Sequence, residues 1–271
     1  MHNLPSFRRP PVVETVIGVQ FDPIEGLNNA RMGSFWAQLQ HEWPSVADAP
    51  PLTPQYELFG DQVQWAIRQL RLRVIDDHSC RLQIRNAAGD RMLQVQNGRF
   101  HYNWIGRGGG EYARYERIRT EFNTLLDTFA GFVEKQLSAE LRVNQWEVTY
   151  VNHLSKGTVW HSPADWQALF PALLTAPPHA ANGIVLESLS AEWHYEIEPK
   201  VGRLHVELSH GKAQPVAEEP ELLVLKLTAR GPIKKEGAAT FDAGIDLGHA
   251  MIVKSFSSLT SQAARDYWEQ E

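Results

Sequence analysis

Residues 91–105 read Arg-Met-Leu-Gln-Val-Gln-Asn-Gly-Arg-Phe-His-Tyr-Asn-Trp-Ile. Two alternating runs, Arg91–Gln96 and Arg99–Ile105, flank Asn97-Gly98. Alternation of polar and apolar residues has the period of a half-buried strand. An Asn-Gly pair between such runs is a strong two-residue hairpin signal, because both positions tolerate positive φ. The stretch therefore predicts an antiparallel hairpin. Leu93, Val95, Phe100, Tyr102 and Trp104 share one face, and Gln94, Gln96, Arg99, His101 and Asn103 share the other.

Working outward, Arg81–Asn86 reads as a third strand behind a turn at Ala-Ala-Gly-Asp, and a further strand is expected within Gln62–Ile75. The β-branched run Val12–Phe21 is another strand. Asn28 or Asn29 caps a helix expected to reach Trp43. Residues 44–60, with Pro44, Pro50, Pro51 and Pro54, read as a loop. Downstream, apolar residues from Tyr112 to Leu137 recur at steps of three and four, which makes a long helix with one wide apolar stripe.

The order then repeats. Gln145–Leu154 is a strand, and Ser162-Pro163 opens a short helix. Leu189–Glu198, Arg203–Ser209 and Leu222–Arg230 are strands, and a helix runs from Asp242 to Trp268. Glu14 matches Glu147 at a shift of 133, and Trp36 and Leu39 match Trp166 and Leu169 at 130. Ile118, Phe122 and Leu125 match Ile252, Phe256 and Leu259 at 134. The expected fold class is α+β. Two duplicated β-α-β-β-β-α halves, residues 1–140 and 141–271, form one continuous domain. They build a pseudo-twofold antiparallel sheet of about eight strands, with both long helices on one face.

Composition sets the outer limits. The chain has 271 residues, 43% apolar and 21% charged, which is ordinary for a globular protein and excludes wholesale disorder. Cys80 is its sole cysteine, so an intrachain disulfide is excluded. No run approaches the roughly 18 apolar residues of a membrane helix. The start lacks the apolar core of a signal peptide, so a cytoplasmic protein is expected. The net charge of −6 hides an Arg-rich middle, with eleven Arg and six acids in residues 61–120.

Several residue groups are candidates for chemistry. The polar hairpin face of Gln94, Gln96, Arg99, His101 and Asn103 suits a ligand or partner surface, since amides both donate and accept. Gly106-Arg107-Gly108-Gly109-Gly110 joins strand to helix but lacks the Lys-Ser/Thr of a phosphate loop. His194, Glu196, His205 and Glu207 resemble metal donors. They read better as cross-strand pairs on a wet face, Glu196 opposite His205 and His194 opposite Glu207. Glu147 and His153 share a strand face but lie ~20 Å apart, too far for an acid–base pair. No catalytic residue, metal site or cofactor is assigned.

Five segments together carry a family resemblance: PPVVETVIGVQF, LQVQNGRFHYNW, YARYERIRTEF, WEVTYVNHL and IDLGHAMIVKSFSSLTSQAARDYW. They are similar to a sporadically distributed family of uncharacterised bacterial proteins of about this length. The resemblance implies that Glu14, Gln94, Gln96, Arg99, Asn103, Arg114, Tyr115, Glu147, Asn152 and His249 are recurring positions. Here Ile105, a glycine run and Ala113 stand where that pattern has a basic residue, a short loop and a proline. Patchy occurrence implies a mobile accessory gene with a phage-defence or antitoxin-like role.

The function expected is therefore a non-enzymatic accessory or regulatory protein that grips a protein partner, with a homodimer as a further possible assembly. Arg114 and Asn152 join the five hairpin residues as expected contacts. The alternative is a small-molecule sensor or enzyme with a polar pocket between sheet and helices. A second alternative, less favoured, is nucleic-acid binding through residues 61–120. No membrane partner is expected.

Overall fold

In a computed structural model of the protein, the residues described are 4–60, 80–106, 112–175, 183–212, 221–233 and 240–271. The hairpin forms as β4 (Arg91–Gln96) and β5 (Arg99–Ile105), with Gln96 opposite Arg99. Only Gly98 takes positive φ, at 95°. The Asn97 side chain is spent elsewhere: it accepts from Ile24 N at 2.8 Å and donates to Ile24 O at 2.9 Å. That bidentate pair ties the turn to the chain leaving β1 (Val12–Phe21).

Among the described residues nine strands make one sheet, and every neighbouring pair is antiparallel. β1 and β6 (Val143–Ser155) lie side by side in its middle. From β1 the sheet continues through β5, β4, β3 (Arg81–Arg85) and β2 (Ser45–Ala49). From β6 it continues through β9 (Glu221–Pro232), β8 (Gly202–Lys212) and β7 (Ser190–Ile197). β2 corrects two expectations, the loop at 44–60 and the count of about eight. Its short sequence, Ser-Val-Ala-Asp-Ala, has no apolar alternation, and it forms by pairing with β3 at the edge. The strand expected within Gln62–Ile75 and the run Gly108–Gly110 lie outside the described residues.

The helices occupy one face. α1 (Asn29–Leu39), capped by the Asn28 side chain, sends Phe35 onto Phe129 and Phe132 of α2 (Tyr115–Leu137). Phe129 in turn stacks on Phe100 of β5 at 5.1 Å. α2 opens at Tyr115, three residues later than expected, because Arg114 holds extended backbone with no side-chain cap. α3 (Trp166–Leu169) seats Trp166 against Trp160 and His210. α5 (Phe241–Leu259) crosses β6 and β9 at close range. Trp146 fills a slot in which a β-carbon on Gly244 or Gly248 would strike the indole. The helix expected to reach Trp268 breaks at Thr260. Ser261, in extended backbone, caps α6 (Gln262–Tyr267) instead.

The β7–β8 connection also differs. Its linking residues are the kinked turn α4 (Glu198–Val201), where Glu198 and Lys200 take positive φ. The register therefore moves by two residues, which keeps each side chain on its face but changes its partner. His194 lies opposite His205, Glu196 opposite Arg203, and Glu192 opposite Glu207.

Candidate functional site

The face away from the helices is polar and carries a strap. Strand register sets Gln96, Arg99, Gln20 and Gln145 side by side, on β4, β5, β1 and β6. The segment 52–57 runs crosswise over this row. Leu52 N donates to Gln96 Oε1 and Leu52 O accepts from Gln96 Nε2, both at 2.8 Å. Gln55 N donates to Gln20 Oε1 at 3.0 Å, and Gln55 O accepts from Gln20 Nε2 at 2.6 Å. Gln145 closes the series, accepting from Glu57 N at 2.9 Å and donating to Gln55 O.

The spacing explains the fit. Three residues of extended chain advance about 10 Å, and two inter-strand steps cover nearly the same distance. Side-chain amides two strands apart thus meet backbone groups three residues apart. Prolines at 50, 51 and 54 favour the extended backbone that this requires.

At its far end the strap delivers Glu57 into the second half of the sheet. The carboxylate is buried against Arg203, His205 at 2.7 Å and Arg230 at 2.9 Å. Burial alone raises its pKa, but His205 and Arg230 outweigh that and hold it down to about 2. Glu147 shares Arg230 at 2.9 Å. Burial likewise raises Glu147, and His101, Arg230 and Arg99 bring it down to about 2. His101 is itself lowered to about 4 by burial, so its imidazole is neutral at pH 7. Its Nε2 makes no hydrogen bond among the described residues.

Beside the strap the same face leaves an open cavity of about 530 Å³. A directed chain of hydrogen bonds lies along its floor. Arg81 donates to Gln94, Gln94 to Asn103 at 2.8 Å, and Asn103 to Glu14 at 2.6 Å. Further along, Thr149 and Thr228 share a hydrogen bond, and His194 meets His205 at 2.9 Å. Among the described residues no group of three or more His, Cys, Asp or Glu is arranged to hold a metal ion.

The seven residues singled out in the sequence divide between two places. Gln94, Gln96, Arg99, His101 and Asn103 are together, on the face opposite the helices. For these five residues this corrects the placement in a pocket between sheet and helices, since the alternation that turns Phe100 and Tyr102 inward turns them outward. Arg114 and Asn152 lie on the helix side, around a separate cavity of about 340 Å³. The described arginines of the Arg-rich stretch also divide. Arg91, Arg117 and Arg119 pair with Glu121, Asp242 and Asp246 on the helix side, whereas Arg81 and Arg99 face the strap.

Sequence reasoning missed the strap, its Gln20 and Gln145 clamps, and the Glu57–Arg203–Arg230 cluster. The prolines were a usable signal for an extended segment, but nothing local pointed to the glutamines that hold it. In comparisons with known proteins, no family model, curated protein or solved structure matches the chain.

Proposed function

We propose that this chain is a non-enzymatic binding protein that grips a polypeptide partner on the strap-bearing face of its sheet. The observation that carries the reading is the strap itself. The face holds an extended segment crosswise, through amide–backbone pairs that read backbone rather than sequence. The cavity beside it offers a second crosswise track, floored by Asn103, Val16, Thr149 and Thr228 in register. An extended peptide meets the same commensurate spacing there.

An accessory role, antitoxin-like or phage-defence associated, and membership of the sporadic bacterial family belong to this proposal. So does the internal duplication. Its support is the strand order, which leaves β1 and β6 central and hangs three further strands of each half outward, with β2 added at one edge. A shift of 133 also exchanges the pair Glu14–Val151 with the pair Glu147–Gly18, about a centre at Val16–Thr149.

The test is native purification of the full chain, with amine cross-linking and mass spectrometry. The expected result is a stoichiometric protein partner cross-linked at Lys226, which lines the cavity. Val151→Arg, which fills the track without breaking a side-chain hydrogen bond, should release that partner while the melting temperature holds. A chain that always runs alone, or cross-links confined to the helix side, overturns the reading.

A further inference from the structure

The helix-side cavity has a different character from the partner face. It lies between the start of α2, α5 and the end of β6, and Phe7, Val12, Ile252 and Phe256 give it apolar walls. Its roughly 340 Å³ falls at the lower end of ordinary small-molecule pockets. Its outer wall is the segment around Phe7, held by main-chain bonds from Arg8 to Glu269 and from Arg9 to Trp268. Arg114 also donates to Phe7 O at 3.1 Å.

Two features give the cavity a chemical preference. The first is Asn152, which is 3% exposed. β1 bulges at Val13, so Val12 pairs with Asn152 while Glu14 pairs with Val151. Bulges re-aim neighbouring side chains. The Asn152 amide donates to Leu225 O at 3.0 Å, and its Oδ1, which accepts nothing among the described residues, is not sealed off but open to the cavity it lines. An open acceptor in a largely apolar wall favours a ligand that brings a donor. The second feature is a set of neutral aromatic groups. Tyr115 stacks on His249 at 3.6 Å, and Tyr150 Oη meets His249 Nδ1 at 2.9 Å. Burial keeps that imidazole uncharged at pH 7. The charged residues that line it, Arg114, Glu116 and Glu271, are all exposed, so the interior offers a ligand no counter-ion.

We propose that this cavity binds a small uncharged ring compound, heteroaromatic or phenolic, that donates one N–H or O–H hydrogen bond to Asn152 Oδ1. The aromatic walls supply ring contacts, and the open acceptor supplies the selectivity.

The test titrates the full chain with indole, 1-methylindole and benzamidine, followed by NMR shifts of Tyr115, Tyr150 and His249. Indole should bind at millimolar concentration or better. Its N-methyl analogue, which lacks the donor, should bind about tenfold more weakly. The benzamidinium cation should not bind. Asn152→Leu should erase the preference for indole. Val253→Trp, at a half-buried position on the cavity wall, should abolish binding of both indoles while leaving partner capture on the opposite face intact. Equal affinity for the two indoles, a preference that survives Asn152→Leu, binding of benzamidinium, binding that survives Val253→Trp, or no shift with indole would each overturn the proposal.

Discussion

His101 and Glu147 face each other across Gly18. Imidazole Nε2 lies 3.8 Å from Glu147 Oε1, and Gly18 is the register partner of both residues. The ring occupies the space that a β-carbon at position 18 would take. Gly18 is therefore fixed by a neighbour's side chain rather than by its own backbone angle. Gly18→Ala should destabilise the fold by about 1–3 kcal/mol, as overpacking does. In a urea double-mutant cycle, His101→Ala should remove most of that penalty. Purely additive losses would mean that the collision is relieved elsewhere.

Trp146 makes a similar demand on the other face. Its indole lies where Gly244 and Gly248 of α5 would otherwise carry side chains. Gly248→Leu should push α5 off the sheet and lower the melting temperature by several degrees or more, at a cost of about 1–3 kcal/mol. An unchanged melting curve would show that the helix does not depend on this approach.

Glu57 joins the strap to the second half of the sheet. Glu57→Ala leaves the buried Arg203 and Arg230 without this carboxylate. Because Arg230 keeps Glu147, the loss should fall near the lower end of the roughly 3–5 kcal/mol typical of a broken buried pair. Hydrogen exchange should quicken at Leu52, Gln55 and Glu57, whose amides are held by Gln96, Gln20 and Gln145. Unchanged protection there would mean that the glutamine clamps hold the strap alone.

Stability should fall with acid in two stages. His101 and His249 each have a folded pKa of about 4, below the ordinary 6.5, so the unfolded chain binds protons first. Stability is therefore lost as pH drops from 6.5 to 4, by up to about 1.4 kcal/mol per pH unit for each histidine. Glu57 and Glu147, with folded pKa values of about 2, add stability that is complete above pH 4.5 and lost as pH falls toward 2. Urea midpoints measured from pH 7 to 3 should decline throughout. In His101→Gln the slope between pH 6.5 and 4 should be shallower, and an identical slope would remove His101 from the account.

The hairpin, both long helices and the antiparallel class were legible because each rests on local periodicity. Asn97-Gly98, the stripe from Ile118 to Val133 and the alternation of Arg99–Trp104 are all readable within a few turns of chain. So was the polar grouping of Gln94, Gln96, Arg99, His101 and Asn103, because alternation assigns side chains to faces. What lies on that face was not legible. Gln20, Gln145 and Gln96 become one row only through strand order and register. Glu57 meets Arg203 and Arg230 across 146 and 173 residues of chain. Periodicity decides which face a side chain takes. The pairing of β1 with β6, and of each with its outer neighbours, decided which distant side chains share a row, and hence where an extended strap could lie.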